Sequence, residues 1–157
     1  MHLKPRLIIC LAVFLCMVLM YHVMMDYKST DVYTLCENSL DKSSDELLAL
    51  IRTYQGEFLK KGNDGFRSFA ALFNNKLISV DLRDPSNVYF SFRSPQPEGD
   101  LQLIYCLDDH LWLESSISLT EETNELRIDN LGITQSGYIF CKRIRRGWFY
   151  FEAYLPT

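Results

Sequence analysis

Residues 87–107, NVYFSFRSPQPEGDLQLIYCL, contain two runs in which apolar and polar side chains alternate. In the first run, Val88, Phe90 and Phe92 fall on one face of an extended chain, and the second run resumes the pattern at 101–107. Successive side chains of a strand point to opposite faces of a sheet, so this alternation is typical of strands with one buried face. The proline-rich segment 94–100 between the runs predicts a loop, and the whole stretch predicts part of a β-meander.

Similar runs occur on both sides of this region, at spacings of about 8–12 residues. The segments predicted as strands are 69–73, 77–82, 88–93, 101–107, 111–119, 125–133, 138–144 and 148–155. Asp84-Pro85-Ser86-Asn87 predicts one turn, and Arg145-Arg146-Gly147 predicts a tight hairpin before the last strand. Seven or eight short strands favour a strongly curved antiparallel sheet or a small barrel.

One amphipathic helix is predicted before these strands, at about 45–61. Ser43 and Glu46 have the spacing of a capping box, and apolar residues then recur from Leu47 at helical intervals. Lys60, Lys61 and Gly62 are typical of a helix C-terminus. The apolar stripe requires a sheet to cover it, so the predicted fold class is α+β, with this helix packed on the sheet.

The segment 7–25, LIICLAVFLCMVLMYHVMM, has no formal charge at neutral pH. As a helix it would extend about 28 Å, close to the hydrocarbon thickness of about 30 Å in an average bilayer. A cleaved signal peptide is the alternative, but such peptides have shorter apolar regions and end in small residues. The sequence favours an uncleaved transmembrane helix, in which Cys10 and Cys16 are small apolar residues.

Charge around this segment predicts the orientation of the chain. Lys4 and Arg6 precede it, and basic flanks tend to remain in the cytoplasm. The predicted organisation is a cytoplasmic stub (1–6), a transmembrane helix (7–25), a juxtamembrane stalk (26–42) and an exported β-rich domain (43–157). Without Lys4 and Arg6, 14 basic residues face 20 acidic ones, a net charge of about −6 that argues against direct nucleic-acid binding.

Three cysteines fall outside the apolar segment: Cys36, Cys106 and Cys141. An oxidising compartment permits a disulfide, and an odd number leaves one thiol over. The sequence leaves all three pairings open but favours Cys106 with Cys141, because both lie in predicted strands. The alternative is three buried, unpaired thiols.

The exported part contains little that catalysis requires. Its one histidine, His110, follows Asp108 and Asp109 in a predicted turn. A thiol paired with His110, or a metal held by these three adjacent residues, is less plausible than a solvated turn. Glycine-rich phosphate loops, paired-cysteine metal motifs and a serine nucleophile motif are all absent from the sequence. We therefore expect a binding domain with no cofactor, no metal and no small-molecule substrate.

The last strand, WFYFEAYL at 148–155, has aromatic residues on both faces. One interpretation is an exposed face in which Trp148, Tyr150 and Tyr154, with the neighbouring Arg145 and Arg146, bind a partner protein. The other is a strand buried on both sides. The wider basic cluster, which begins at Lys142 and Arg143, is expected to be a solvated hairpin tip.

In architecture the chain resembles the ToxS-like accessory proteins of the bacterial inner membrane, and its layout resembles the MyfF/PsaF type of fimbrial regulator. The resemblance consists of a basic stub (2–6), an uncleaved helix (7–25) and a helix-then-strands exported domain with few cysteines. It implies a periplasmic domain that binds and stabilises a ToxR-like, membrane-bound transcription regulator of fimbrial or virulence genes. It assigns no site residues.

Two other functions are compatible with a tethered, non-catalytic domain. One is a periplasmic immunity protein that blocks a toxin, and the other is a component of secretion or pilus assembly. The accessory role is favoured because two partners anchored in one bilayer have a raised effective concentration, so a weak interface would suffice.

Overall fold

The computed structural model describes residues 5–114, 117–119, 124–131 and 137–156. Two helices and nine strands occur in these ranges. In chain order they are α1 (Pro5–Thr53), β1 (Phe58–Lys60), α2 (Asp64–Leu72), β2 (Leu77–Asp81), β3 (Asn87–Phe92), β4 (Gly99–Cys106), β5 (Leu111–Glu114), β6 (Ile117–Leu119), β7 (Glu125–Leu131), β8 (Gly137–Arg145) and β9 (Trp148–Tyr154).

Seven strands form one antiparallel sheet in the order β1-β2-β3-β4-β9-β8-β7, and β5 and β6 form a separate hairpin. The α+β class and the antiparallel sheet are therefore confirmed. In the described ranges β1 and β7 each pair on one side only, so the sheet is open, and the predicted alternative of a closed barrel is wrong. The C-terminal strand β9 lies in the interior of the sheet, between β4 and β8.

Three predicted elements differ from the structure. Residues 69–73 belong mostly to helix α2, because their real period is helical: Phe66, Phe69, Ala70 and Phe73 are buried. The helix predicted at 45–61 ends at Thr53, and Gly56, with a φ of 87°, lies in the turn that leads into β1. The single strand predicted at 111–119 is instead the β5–β6 hairpin.

Helix α1 is interrupted at Ser43, whose φ of −140° and ψ of 24° are not helical. The break coincides with the helix start that the capping-box pattern predicts. The segment proposed as a stalk is helical, and from Val32 onward this helix packs on the sheet. Leu40 is fully buried there, and the Ser39 hydroxyl donates a hydrogen bond of 2.8 Å to the carbonyl oxygen of Leu72.

The predicted membrane segment 7–25 lies within α1, and for most of its residues the side chains are outside the described set. Within the described residues, no helix combines the length and apolar character needed to span a membrane.

The two faces of the main sheet are buried to different extents. On one face, α1 and α2 cover a large apolar core that includes Phe69, Phe90 and Leu103. On the other face, a smaller cluster surrounds Phe149, with Ile104, Cys106, Leu111 and Cys141. The central strands β4 and β9 contribute to both clusters, so both of their faces are buried.

Candidate functional site

The aromatic strand proposed as a partner surface is part of the core. Trp148 and Tyr150 are 2% and 1% exposed, on the sheet face that the helices cover. The Tyr33 ring of α1 meets the Tyr150 ring edge-on at 5.3 Å, and the Tyr150 hydroxyl donates a 3.0 Å hydrogen bond to Glu152. Burial raises the pKa of Tyr150 well above its ordinary value. The prediction that Trp148 and Tyr150 bind a partner is therefore wrong, because the interior position of β9 leaves them inaccessible.

The remaining predicted partner residues do not share one surface with them. Tyr154 is half-buried near the end of β9, with its ring 6.2 Å from that of Tyr138. Arg145 donates a 3.0 Å hydrogen bond to the carbonyl oxygen of Leu40 and pairs with Asp41, so it joins the hairpin to α1. Only Arg146 extends into solvent, with 89% of its side chain exposed.

The basic cluster is consequently not a solvated tip. Lys142 lies 5.2 Å from the centre of the Tyr33 ring and 3.7 Å from a carboxylate oxygen of Glu125. Arg143 is only 9% exposed and pairs at 2.5 Å with Asp109, which is 18% exposed. Lys142, Arg143 and Arg145 therefore make structural contacts, whereas the exposed Arg146 lies 3.9 Å from the carboxylate that Arg143 also pairs with.

Asp109 connects two turns of the chain. Besides Arg143, its carboxylate accepts a hydrogen bond from the backbone N–H of Gly147 in the β8–β9 turn. Asp109 itself has a φ of 62°, a left-handed conformation that Asp and Asn tolerate better than most residues. The interpretation of 108–110 as a merely solvated turn is therefore wrong for Asp109. Its carboxylate is held by Arg143 and by the N–H of Gly147, which both lie far away in the sequence.

His110 remains on the surface of this turn. Its backbone N–H donates to Asp108 at 3.2 Å, and its ring Nδ1 lies 3.0 Å from the carbonyl oxygen of the same residue. Within the described ranges, no group of three or more histidine, cysteine or acidic side chains is arranged to hold a metal ion.

The three cysteines outside the apolar segment are buried and free. Cys106 lies in β4 and Cys141 in β8, with β9 between the two strands. Neighbouring strands are about 4.8 Å apart, which separates these residues by at least about 9 Å, whereas a disulfide requires Cα atoms within about 7 Å. The favoured Cys106–Cys141 disulfide is therefore wrong for this sheet order.

Burial also makes these thiols poor nucleophiles. Desolvation raises the pKa of Cys106 to about 12 and that of Cys141 to about 12, and it raises the pKa of Cys36 further above its ordinary value. A thiol with a pKa of about 12 is roughly one part in ten thousand thiolate at pH 8. His110 is exposed on a turn, so none of these buried thiols has the environment of an activated cysteine.

We expect native full-length protein to protect all three thiols from iodoacetamide at pH 8. Peptide mapping should find Cys36, Cys106 and Cys141 unmodified before denaturation and fully modified after it. Their reactivity in the unfolded chain is the internal control. Rapid labelling of any of the three in the native protein would contradict their burial, and protection that persists in denaturant without reductant would indicate a disulfide.

A groove with a distinct chemical character lies between α1, α2 and the end of the β2–β3 strand pair where β2 begins and β3 ends. Its volume is about 900 Å³. Apolar residues of the groove include Val32, Phe66 and Phe92, which are all buried, and basic residues surround them. The basic residues are Lys61, Arg67, Lys76 and Arg93. Sequence reasoning missed this group because its members are distributed over more than 30 positions in four separate segments.

Fold and groove together define an α+β protein with an open seven-stranded antiparallel sheet, one covered face and a basic-rimmed apolar groove. Comparisons with models of known protein families, with curated proteins and with solved structures gave no match.

Proposed function

We propose that the chain is a single-pass inner-membrane accessory protein, with its N-terminus in the cytoplasm, whose periplasmic domain binds and stabilises a membrane-anchored transcription regulator of the ToxR type. It is not an enzyme in this proposal. The observation that carries it is the first part of α1: before the break at Ser43, this helix extends from the apolar segment to residues that belong to the core of the sheet domain. A domain attached in this way has a defined position relative to the bilayer.

The environment of the potential nucleophiles supports a binding function. The three thiols are buried and have raised pKa values, and His110 lies on an exposed turn. Nucleophilic catalysis requires a thiol or hydroxyl activated by an adjacent base, and these residues do not provide that arrangement. Non-covalent recognition requires only an accessible, complementary surface.

The accessible part of the hairpin end suggests where a partner would bind. Arg146 and Leu107, whose exposed fraction is 69%, lie on adjacent turns, because the N–H of Cys106 donates a 2.7 Å hydrogen bond to the carbonyl oxygen of Gly147. Arginine is enriched at protein interfaces, and an exposed leucine beside it would add apolar contact area. This surface replaces the buried side chains of Trp148 and Tyr150 as the proposed contact.

The test uses the full-length chain and a membrane-anchored regulator, sought first among the genes that neighbour its own. We expect the two to co-purify from solubilised membranes, and we expect the half-life of the regulator to fall severalfold when residues 26–157 are deleted. Leu107→Glu should reduce co-purification by about tenfold, since a charge placed in an apolar contact is costly to desolvate. The control is Leu155→Glu, which changes another exposed leucine at the opposite end of the sheet.

Two results would contradict the proposal. One is unchanged regulator stability and regulated transcription after deletion of 26–157. The other is an inactive alkaline phosphatase fused after residue 157, because the enzyme requires export. Protection against a toxin, or a defect in pilus assembly with normal regulator levels, would favour the immunity or assembly alternatives.

A further inference from the structure

We propose that the groove between α1, α2 and the end of the β2–β3 strand pair binds the headgroup of an acidic phospholipid from the membrane that anchors the chain. The inference rests on the proposed membrane anchoring and adds a second ligand to the protein-binding function. It is independent of the identity of the regulator.

The groove has the chemistry that an anionic amphiphile requires. Lys61, Arg67 and Arg93 are exposed around it, and no acidic side chain is among its described lining residues. In the described part of the chain, these three side chains form no ion pair within 4.0 Å of a carboxylate. This concentration of positive charge occurs in a protein with a net charge of −4. Phosphate oxygens would face the basic side chains.

The apolar part of the groove fits the hydrophobic end of such a ligand. Leu77 and Phe92 contribute from neighbouring strands, where they are register partners, and Val32 contributes from α1. The side chain of Ile78, 48% exposed, extends this apolar surface toward solvent. A free phosphate ion would use only the cations, whereas a phospholipid would use both parts of the groove.

The direction of α1 places the groove at the membrane end of the domain. Tyr33 contacts Tyr150, and Leu40 is bonded to Arg145, so α1 passes along β9 toward the hairpin. Residues that precede Tyr33 therefore lie toward the opposite end of the sheet. The strand registers place the groove residues at that end. Glu152 of β9 is paired with Leu101, Leu101 with Phe92, and Phe92 with Leu77.

The distance along the helix agrees with this placement. Val32 follows the end of the apolar segment at residue 25 by seven positions, which is about 10 Å of helix. Each headgroup layer of a bilayer is about 5–8 Å thick. The groove is therefore close to the outer boundary of the headgroups, where basic residues attract acidic lipids. This position favours a lipid over an acidic segment of another protein.

The experiment measures which lipid the full-length protein retains. Purified protein in detergent is mixed with equal amounts of phosphatidylglycerol and phosphatidylethanolamine, and native mass spectrometry counts the bound lipids. We expect phosphatidylglycerol to be retained about tenfold more often, since several basic residues near one anionic headgroup each increase affinity severalfold. Combined replacement of Lys61, Arg67 and Arg93 by glutamine should remove this preference.

The matched control replaces three exposed basic residues outside the groove, Lys42, Arg52 and Lys60, by glutamine. Three results would overturn the proposal. The wild type could retain both lipids equally, the groove variant could keep its full preference for phosphatidylglycerol, or the control variant could lose that preference to the same extent as the groove variant. Soluble glycerol phosphate that displaces the lipid completely would also overturn it, because the site would then recognise a free anion. Alkaline carbonate extraction tests the anchoring itself: release of the wild type would contradict membrane anchoring, whatever lipid preference is measured in detergent.

Discussion

Replacement of Trp148 by alanine is expected to lower the free energy of unfolding by about 3–5 kcal/mol, the usual cost of removing a buried aromatic side chain. Trp148 is 2% exposed and begins a strand in the interior of the sheet. Its ring lies 4.8 Å from the Tyr105 ring and 5.8 Å from the Phe90 ring. The neighbouring strands cannot close the resulting cavity without disrupting their own hydrogen bonds, so relaxation should recover little of the loss.

Urea denaturation of the full-length protein, followed by circular dichroism, measures this effect. Leu155→Ala is the control, because Leu155 follows the same strand but is 48% exposed, and its replacement should change stability by less than about 0.5 kcal/mol. A Trp148→Ala protein of normal stability that no longer binds the regulator would restore the interface interpretation. Loss of stability without any partner present would confirm a core role.

The local patterns predicted much of this sheet. Every second residue from Val88 to Phe92 is buried in β3, and the runs beginning at Leu77 and Leu101 also correspond to strands. These predictions succeed because burial of one face produces an alternation of apolar and polar residues that is visible within each strand's own sequence. The segment 69–73 was wrongly predicted as a strand because the spacing of Phe69 and Phe73 fits both the strand period of two and the helical period of 3.6. The burial of Phe66 and Ala70 fits only the helical period.

The order of the strands could not be predicted in the same way. Placement of β9 between β4 and β8 depends on hydrogen bonds between segments that are about 50 residues apart, as in the pairing of Leu101 with Glu152. The aromatic density of β9 indicated burial on two faces or exposure of one, and only its neighbours determine which occurs. The favoured disulfide was wrong for the same reason, because β9 separates the two cysteines.

The groove and the ion pair of Asp109 also arise from contacts distant in sequence. Arg143 occurs in a run of four basic residues within five positions, and such a run usually indicates a solvated surface. The structure instead buries Arg143 next to Asp109, 34 positions earlier. The sequence did carry a signal for the turn itself, because aspartate tolerates the left-handed backbone that Asp109 adopts, but it carried none for the distant partner.

The Asp109–Arg143 pair leads to the second large expected effect. Asp109→Asn should lower the free energy of unfolding by about 3 kcal/mol, because it removes the carboxylate that pairs at 2.5 Å with the guanidinium of Arg143, which is only 9% exposed. Asparagine is chosen over alanine because it tolerates the φ of 62° and can still accept the hydrogen bond from Gly147. The measured loss should therefore come from the charge.

The control is the same substitution in an exposed pair. Asp129 lies 3.0 Å from Arg127, and their side chains are 53% and 57% exposed, so Asp129→Asn should cost less than about 1 kcal/mol. Combining Asp109→Asn with Arg143→Met should recover part of the loss, because the methionine removes the buried cation while retaining apolar volume. The buried pair would contribute no more than a surface contact if Asp109→Asn and Asp129→Asn lowered the free energy of unfolding equally. The same conclusion would follow if the losses caused by Asp109→Asn and Arg143→Met simply added in the double variant.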